Sequence, residues 1–228
     1  MLGIIDRLCR DNGLKYFLCG GTLLGAERNG GMIPWDDDID ILMPREDFEK
    51  FRKICEKELP EGYFYQNGLS DPEYSGIAAK LRKDGTFFPE RRWEKRNFHK
   101  GIFIDIFPLD PYPKSSLAGI AVSKAVSFIQ QVLALDKCYS KSVFVRMLFY
   151  LAKRKDSKFW YMKRERLFSL IKGHESSDKL CSFGSHYKNK RVLEKEWFSS
   201  SEDVDFEGEK RMAPKGKREY LEYLFGED

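Results

Sequence analysis

Four aspartates lie within five consecutive positions, in the segment Asp36-Asp37-Asp38-Ile39-Asp40. Asp38 and Asp40 alternate with Ile39 and Ile41, so on a β-strand both carboxylates would lie on one face and the apolar side chains on the other. Two like charges held side by side repel each other unless a cation lies between them. Carboxylate oxygens are the ligands that suit Mg²⁺ or Mn²⁺. The segment therefore predicts a divalent metal site at Asp38 and Asp40.

The acidic segment has two other possible interpretations, a calcium loop and a solvated loop. A calcium loop starting at Asp36 is excluded because its sixth position requires glycine for a sharp turn, and Ile41 stands there. A solvated acidic loop explains Asp36 and Asp37 well, but it does not explain why Asp38 and Asp40 share one face of an apolar strand.

A third carboxylate is offered by the apolar segment Gly101-Ile102-Phe103-Ile104-Asp105-Ile106-Phe107-Pro108-Leu109-Asp110. An aspartate inside such a strand is expected to be paired or metal-bound, because an isolated buried charge is costly. Asp105 is therefore predicted to complete the metal site. Asp110 follows Pro108 and is predicted to cap a turn.

A glycine turn precedes the acidic segment. Gly20-Gly21-Thr22 combines a flexible backbone with a hydroxyl at a strand-to-helix turn, where unpaired N–H groups can bind a phosphate. Candidates for neutralising phosphate charge are Arg28, Lys80 and Arg82, and each is equally readable as a surface cation.

Aromatic residues offer a second kind of substrate contact. Trp35, Trp93 and Phe98 could face a quaternary ammonium group, although aromatic residues more often belong to the core. We include Trp35 among the predicted substrate-binding residues.

Hydrophobic periodicity predicts an α+β fold in which a small mixed sheet is flanked by helices. The first part is predicted to contain a helix from Leu2, a strand over Tyr16–Cys19, a helix over Thr22–Arg28 and a strand over Asp38–Met43. A helix from Pro44 and two strands, over Ile77–Lys83 and Gly101–Phe107, are predicted to follow. Three helices follow, over Leu117–Leu135, Val143–Lys153 and Lys158–Lys172, and the stretch from Ser199 to Asp228 reads as turn-rich. We therefore predict a core over 1–114 that contains the predicted metal site, and a mainly helical extension over 115–228 that packs on this core.

Length, net charge and cysteine content exclude several classes of protein. The chain has 228 residues and a formal net charge of only +4, with charges of both signs mixed, which argues against a dedicated nucleic-acid binder. Five widely spaced cysteines predict neither a disulfide framework nor a zinc site. No secretory signal is evident, and the most apolar helix is interrupted by Lys124 and by Gln130-Gln131. We expect a cytoplasmic protein, peripheral at the inner membrane face.

Basic residues gather before and within the last of the three predicted helices, from Lys153 to Arg166, and Phe159, Trp160 and Tyr161 lie inside this run. Such a helix can bind an anionic membrane surface or a polyanionic acceptor. The alternative is a solvated helix face with core aromatics.

Three motifs together resemble the LicD family, which includes the fukutin-related proteins. They are Gly20-Gly21-Thr22-Leu23-Leu24-Gly25-Ala26-x-Arg28, Ile33-Pro34-Trp35-Asp36-Asp37-Asp38-Ile39-Asp40-Ile41 and the segment from Gly101 to Asp110. The resemblance implies a nucleotidyltransferase fold, shared with polymerase beta, with Asp38, Asp40 and Asp105 as catalytic metal ligands. Family members usually continue past Phe225-Gly226-Glu227-Asp228 into a short tail with further polar residues.

The resemblance also implies an activity. Such a protein is expected to transfer an alcohol phosphate, most simply phosphocholine from CDP-choline, to a hydroxyl of a cell-surface glycan in a lipopolysaccharide, teichoic acid or capsule precursor, with Mg²⁺ or Mn²⁺ as cofactor. One alternative is a nucleotidyltransferase of the same fold, which transfers a nucleoside monophosphate from a triphosphate and releases pyrophosphate. Another is a non-catalytic, metal-stabilised scaffold at the membrane surface.

Overall fold

The central strand of the fold is the apolar segment that carries Asp105. A computed structural model describes residues 1–88, 90, 96–112, 116–135, 138–171, 178–182 and 192–226 of the chain. Strand β5 (Phe103–Pro111) is buried at every position except its two ends. It is flanked by a parallel neighbour on one side and an antiparallel neighbour on the other. A strand covered on both faces needs apolar residues at consecutive positions, which its Ile and Phe residues supply.

The main sheet has the strand order β1-β2-β5-β4-β3, and β6 pairs with the end of β5 and with β7. Among the described strands only β2 and β5 pair in parallel, and the other pairings are antiparallel, so the sheet is mixed. The strands β1 to β4 span Phe17–Leu18, Asp40–Pro44, Tyr63–Gln66 and Ala79–Lys83. The strands β6 and β7 span Lys179–Cys181 and Val192–Glu194.

The described helices flank this sheet. Helices α1 to α3 span Leu2–Asp11, Gly20–Asn29 and Arg45–Glu58. Helices α4 to α6 span Ser116–Ala134, Val143–Ala152 and Ser157–Ile171. Helix α3 packs against β2 and β5, and α6 contacts β5 and α4. The structure thus confirms the predicted α+β class and the three middle helices, whose ends differ from the prediction by no more than a few residues.

The C-terminal stretch is regular, so the prediction that 199–228 is merely turn-rich was wrong. A short 3-10 helix (Lys195–Phe198) is followed by a hairpin of β8 (Ser201–Phe206) and β9 (Glu209–Pro214), and then by α7 (Lys217–Phe225). Along β8, buried Val204 and Phe206 alternate with exposed acidic residues. The charged face of this strand hid the alternation in the sequence.

The main hydrophobic core joins the two ends of the chain. Buried residues of the C-terminal hairpin and of α7, among them Phe206, Met212 and Tyr220, pack in the same cluster as Ile5, Leu23 and Ile41. The predicted boundary at residue 114 stays a prediction, but strands as well as helices lie on its C-terminal side. Among the described residues, no helix is both long and apolar enough to cross a bilayer.

Asp110 lies within β5 and is fully buried, so the prediction that it caps a turn was wrong. Both of its carboxylate oxygens accept hydrogen bonds from Arg45 at the start of α3, each at 2.7 Å. The Arg45 guanidinium also lies 3.0 Å from Glu165 of α6 and over the Phe168 ring. This buried pair therefore ties α3 and α6 to the central strand.

Candidate active site

The parallel pairing of β2 and β5 brings two predicted metal ligands together. Asp40, the first residue of β2, stands directly opposite Asp105 in the register of the two strands. Residues opposite each other on neighbouring strands direct their side chains to the same face of the sheet. The structure therefore places the Asp40 and Asp105 carboxylates side by side.

Asp38 lies just before the strand, because β2 begins at Asp40 and not at Asp38 as predicted. Its carboxylate is half-buried, and one of its oxygens lies within 4.8 Å of one oxygen each of Asp36 and Asp37. The acidic segment thus forms a compact carboxylate cluster that adjoins the strand pair. Burial raises the pKa of Asp38, and the nearby charges of Asp36 and Asp105 raise it further.

The carboxyl group of Asp40 is strongly perturbed by its surroundings. Burial, followed by repulsion from Asp105 and Asp38, raises its pKa to about 8, against a smaller lowering effect of Lys80. One of its oxygens, Oδ1, is buried without a hydrogen-bond partner. A buried, unpaired carboxylate oxygen facing other carboxylates is costly unless a cation is bound there. The chemistry of the Asp40–Asp105 pair therefore fits a divalent ion, with Asp38 as the predicted third ligand. Among the described residues, the set of three carboxylates whose oxygens converge within 4.8 Å is instead Asp36, Asp37 and Asp38.

The backbone around Asp40 is held from three directions. Its N–H donates to Thr22 Oγ1 at 2.9 Å, and its carbonyl accepts from the Cys19 N–H at 3.2 Å. The Asp105 N–H donates to the Ile39 carbonyl at 2.9 Å, which extends the strand pairing by one residue. Thr22, predicted as a phosphate contact, therefore also positions Asp40.

A Thr22→Val variant tests this positioning role. Valine fills the same volume but leaves the Asp40 N–H without its acceptor, so we expect a loss of about 1–3 kcal/mol in the free energy of unfolding together with lower turnover. Thr22→Ser keeps the oxygen and should retain most of both. Equal stability and turnover in the valine and serine variants would contradict the assignment, as measured by chemical denaturation and product formation.

The predicted glycine turn forms the first turn of α2. Gly20 adopts φ +56°, a left-handed conformation that favours glycine, and its N–H donates to the Tyr220 hydroxyl at 3.4 Å. A Cβ on Gly21 would lie 2.5 Å from Asp36 Oδ2, so a larger residue at this position would displace the Asp36 carboxylate. The N-terminus of α2, where a phosphate was predicted, thus lies against the acidic cluster.

The predicted cations lie in different environments. Lys80 is buried beside the acidic site, with its Nζ 2.9 Å from Asp105 Oδ1 and 3.4 Å from Glu90 Oε1. Arg82 is fully buried and donates to Gln66, to the Gly101 carbonyl and to Glu90. The interpretation of these two residues as surface cations is wrong. Arg82 therefore has a structural role, whereas the Lys80 ammonium group offsets the negative charge of Asp105.

The remaining predicted contacts are exposed or belong to the core. Arg28 is exposed in the last turn of α2, and Trp35 is 87% exposed in the loop before the acidic segment. Phe98 is buried and packs edge-to-face on Tyr74, as its core interpretation predicts. Trp93 lies outside the described residues.

Two glutamates that help to position the site were not predicted from the sequence. Glu90 bridges Lys80 and Arg82, and Glu207 holds the turn that leads into the acidic segment. In the β8–β9 turn, Glu207 accepts a hydrogen bond from the Met32 N–H and donates its own N–H to the Gly30 carbonyl, both at 2.8 Å. Its φ of +54° is unusual for a residue other than glycine. No local pattern indicates the role of Glu207, because its partner Met32 lies 175 residues away, whereas Glu90 lies only eight residues after Arg82.

Comparisons with known proteins agree with the three motifs. Residues 13–128 match the profile of the LicD/FKTN/FKRP nucleotidyltransferase domain. The chain is 35% identical over 116 residues to the lipopolysaccharide cholinephosphotransferase LicD of Haemophilus influenzae, a match that covers 49% of this chain and 42% of that protein. It is 30% identical over 105 residues to the human ribitol 5-phosphate transferase FKRP, covering 46% of this chain and 18% of FKRP. An uncharacterised protein of Rickettsia prowazekii, RP689, is 43% identical over 124 residues, covering 46% of this chain and 47% of RP689. The matched segments thus span less than half the length of these relatives.

Proposed function

Since the chain belongs to the LicD family, we propose that it transfers an alcohol phosphate from a CDP-linked donor to a hydroxyl of a cell-surface glycan. Phosphocholine from CDP-choline is the group that we expect. The names of two relatives, a cholinephosphotransferase and a ribitol 5-phosphate transferase, support this class of reaction because both describe the transfer of a phosphate-bearing alcohol. A lipopolysaccharide, teichoic acid or capsule precursor is the proposed acceptor.

The observation that carries the proposal is the juxtaposition of Asp40 and Asp105 across the parallel strand pair, with Asp38 at its edge. These three aspartates would hold Mg²⁺ or Mn²⁺. When bound, such an ion neutralises phosphate charge and lowers the pKa of the incoming hydroxyl. The orphaned Oδ1 of Asp40 supports this role, because the protein itself supplies no partner for it.

The fold that we infer for this site is that of a nucleotidyltransferase. The description of the matching profile supports it. The local order does so too: a glycine turn opens α2, the acidic segment leads into β2, and the third aspartate comes from the parallel neighbour β5.

The proposed reaction is a displacement at the phosphorus that carries the alcohol. The oxygen of the acceptor hydroxyl forms a bond to this phosphorus, and the bond from phosphorus to the bridging oxygen of the pyrophosphate breaks. CMP leaves with that oxygen and its electron pair, while one of the three aspartates accepts the hydroxyl proton. The products are CMP and the glycan that carries the alcohol phosphate.

Other residues have positioning roles in this proposal. Gly20, Gly21 and Thr22 orient the donor phosphates at the first turn of α2, where backbone N–H groups favour anions. Lys80 keeps Asp105 in place through its 2.9 Å contact. Two further candidates are exposed. Arg28 is proposed to contact the donor phosphate, and Trp35 is proposed to contact the alcohol.

A thermal-shift screen of CDP-alcohols tests donor binding. We expect CDP-choline, or a CDP-linked polyol or ethanolamine, to raise the unfolding temperature only when Mg²⁺ is present, because the donor phosphates and the carboxylates would share the ion. CTP with Mg²⁺ is the matched control. Stabilisation by CTP and by no CDP-alcohol would favour nucleotidyl transfer, and stabilisation by the metal alone would favour a scaffold.

A further inference from the structure

Helix α5 exposes most of its apolar side chains. Of its ten residues only Phe149 and Ala152 are buried, where they pack with Val132 of α4 and against Trp160 of α6. Six large apolar residues are exposed, namely Val143, Phe144, Met147, Leu148, Tyr150 and Leu151. An apolar patch of this kind marks a surface that binds something other than water.

Positive charge surrounds this apolar helix. Residues 141–166 contain nine lysines and arginines but only two acidic residues, so the segment carries a net charge of +7. The whole chain carries only +4, so the rest of the chain is net negative. The charge is therefore concentrated on α5, α6 and their connection, and it favours an anionic partner.

Helix α6 adds two adjoining hollows of different character. One, of about 650 Å³, lies between α3 and α6 and is lined by Arg52, Lys53 and Met162 among others. The other, of about 340 Å³, is lined mainly by apolar residues such as Ile129 and Leu167. They share Phe159, Lys163 and Arg166. A basic hollow beside an apolar one suits an amphiphile with a phosphate group.

The acidic residues of the larger hollow do not cancel this charge. Glu49 and Glu165 both lie within ion-pair distance of Arg45, at 3.4 and 3.0 Å. The Phe159 ring, in turn, lies between two lysines, with Lys155 Nζ at 5.8 Å and Lys163 Nζ at 5.5 Å from its centroid. Aromatic and basic groups in this arrangement are typical of membrane interfaces.

We propose that α5 and α6 bind the surface of an anionic lipid bilayer, with the exposed apolar side chains of α5 among the lipids and the basic residues at the phosphate headgroups. This differs from the sequence-based expectation, which placed the contact on α6 alone. Tyr161 is buried and the Trp160 indole N–H donates to the Ala152 carbonyl, so these two aromatics belong to the helix packing. A second copy of the chain fits this surface poorly, because two faces of +7 repel each other. The proposal does not depend on the transferase activity.

Vesicle co-sedimentation tests the proposal on the full chain. We expect binding to vesicles of equal parts phosphatidylcholine and phosphatidylglycerol, weaker binding at high salt, and little binding to phosphatidylcholine alone. Replacing Arg154, Lys155 and Lys158 by Gln should weaken binding about 100-fold, since each basic residue near an anionic surface contributes roughly fivefold. Phe144→Glu, at a side chain that is 63% exposed, should also abolish binding without unfolding the protein.

Two control variants test whether the loss of vesicle binding is specific to α5 and α6. Phe87→Glu changes another exposed aromatic, and Lys50→Gln removes an exposed lysine of α3, so both should bind vesicles like the unchanged protein. The proposal is overturned if Phe144→Glu binds anionic vesicles normally or if the unchanged protein fails to bind them. It is also overturned if light scattering shows a dimer that Phe144→Glu dissociates while vesicle binding is absent.

Discussion

An Asp40→Asn variant is expected to lose at least about 100-fold in turnover, the scale on which removal of one electrostatic contact to a transition state acts. In the absence of divalent metal, the same variant should be more stable than the unchanged protein. The reason is that the partly buried Asp40 carboxylate is repelled by Asp105 and Asp38, and that its buried Oδ1 has no hydrogen-bond partner. A neutral amide of the same shape removes that repulsion.

The pH dependence of stability follows from the same carboxyl group. The pKa of Asp40 is raised to about 8 in the folded protein. Between the ordinary aspartate pKa, which applies to the unfolded chain, and pH 8, the folded state therefore binds a proton that the unfolded state has released. Stability from this group is complete below the ordinary carboxyl pKa and is lost as pH rises towards 8. We therefore expect the advantage of Asp40→Asn in unfolding temperature to grow over this range, and Mg²⁺ to reduce it by stabilising the unchanged protein.

Asp11→Asn is the matched control, because it changes an exposed carboxylate at the end of α1. It should alter neither turnover nor the response to Mg²⁺. If Asp40→Asn keeps normal turnover, or unfolds at a lower temperature than the unchanged protein without metal, then the carboxylates do not form the site described above.

The buried pair between Arg45 and Asp110 gives the largest expected effect on stability. Arg45→Met leaves the buried Asp110 carboxylate without its partner, which typically costs about 3–5 kcal/mol of unfolding free energy. For a chain of this size that corresponds to roughly 10 °C in the midpoint of thermal unfolding. Asp110→Asn should cost less, because Arg45 keeps its ion pairs with Glu165 and Glu49. The expectation rests on the two 2.7 Å hydrogen bonds and on the near-complete burial of both side chains.

Two further variants make this prediction specific. Arg45→Met combined with Asp110→Leu removes both charges, so it should recover much of the loss that either single variant shows. Arg52→Ala removes a partly exposed guanidinium of α3 that pairs with Glu56, and it should cost no more than about 1 kcal/mol. Equal destabilisation by Arg52→Ala and Arg45→Met would show that the buried pair has no special role.

The parts of the fold that the sequence predicted well are those with a local pattern. Helices α4, α5 and α6 follow from their apolar spacing, and the burial of β5 follows from its dense Ile and Phe residues. The juxtaposition of Asp40 and Asp105 was inferred from the alternation around Asp40 and from an aspartate in an apolar strand. The register of β2 and β5 places them together. Their role as metal ligands stays a prediction.

The parts that were missed depend on contacts between distant residues. Asp110 looks like a turn residue after Pro108, but Arg45, 65 residues away, makes its burial favourable. Arg82 looks like a surface cation until Gln66, Glu90 and the Gly101 carbonyl surround it. The β8–β9 hairpin has a charged outer face, so its strands become evident only when Val204 and Phe206 pack in the main core.

In the proposed reaction, carboxylates of β2 and β5 hold a divalent ion with which the protein cleaves a CDP-alcohol. Mass spectrometry of a reaction containing the protein, CDP-choline, Mg²⁺ and a glycan acceptor tests it most directly, with Asp40→Asn and a chelator as parallel reactions. We predict CMP and an acceptor heavier by one phosphocholine, formed only with Mg²⁺ and intact Asp40. Release of pyrophosphate from CTP, with no CMP formed from any CDP-alcohol, would contradict the account.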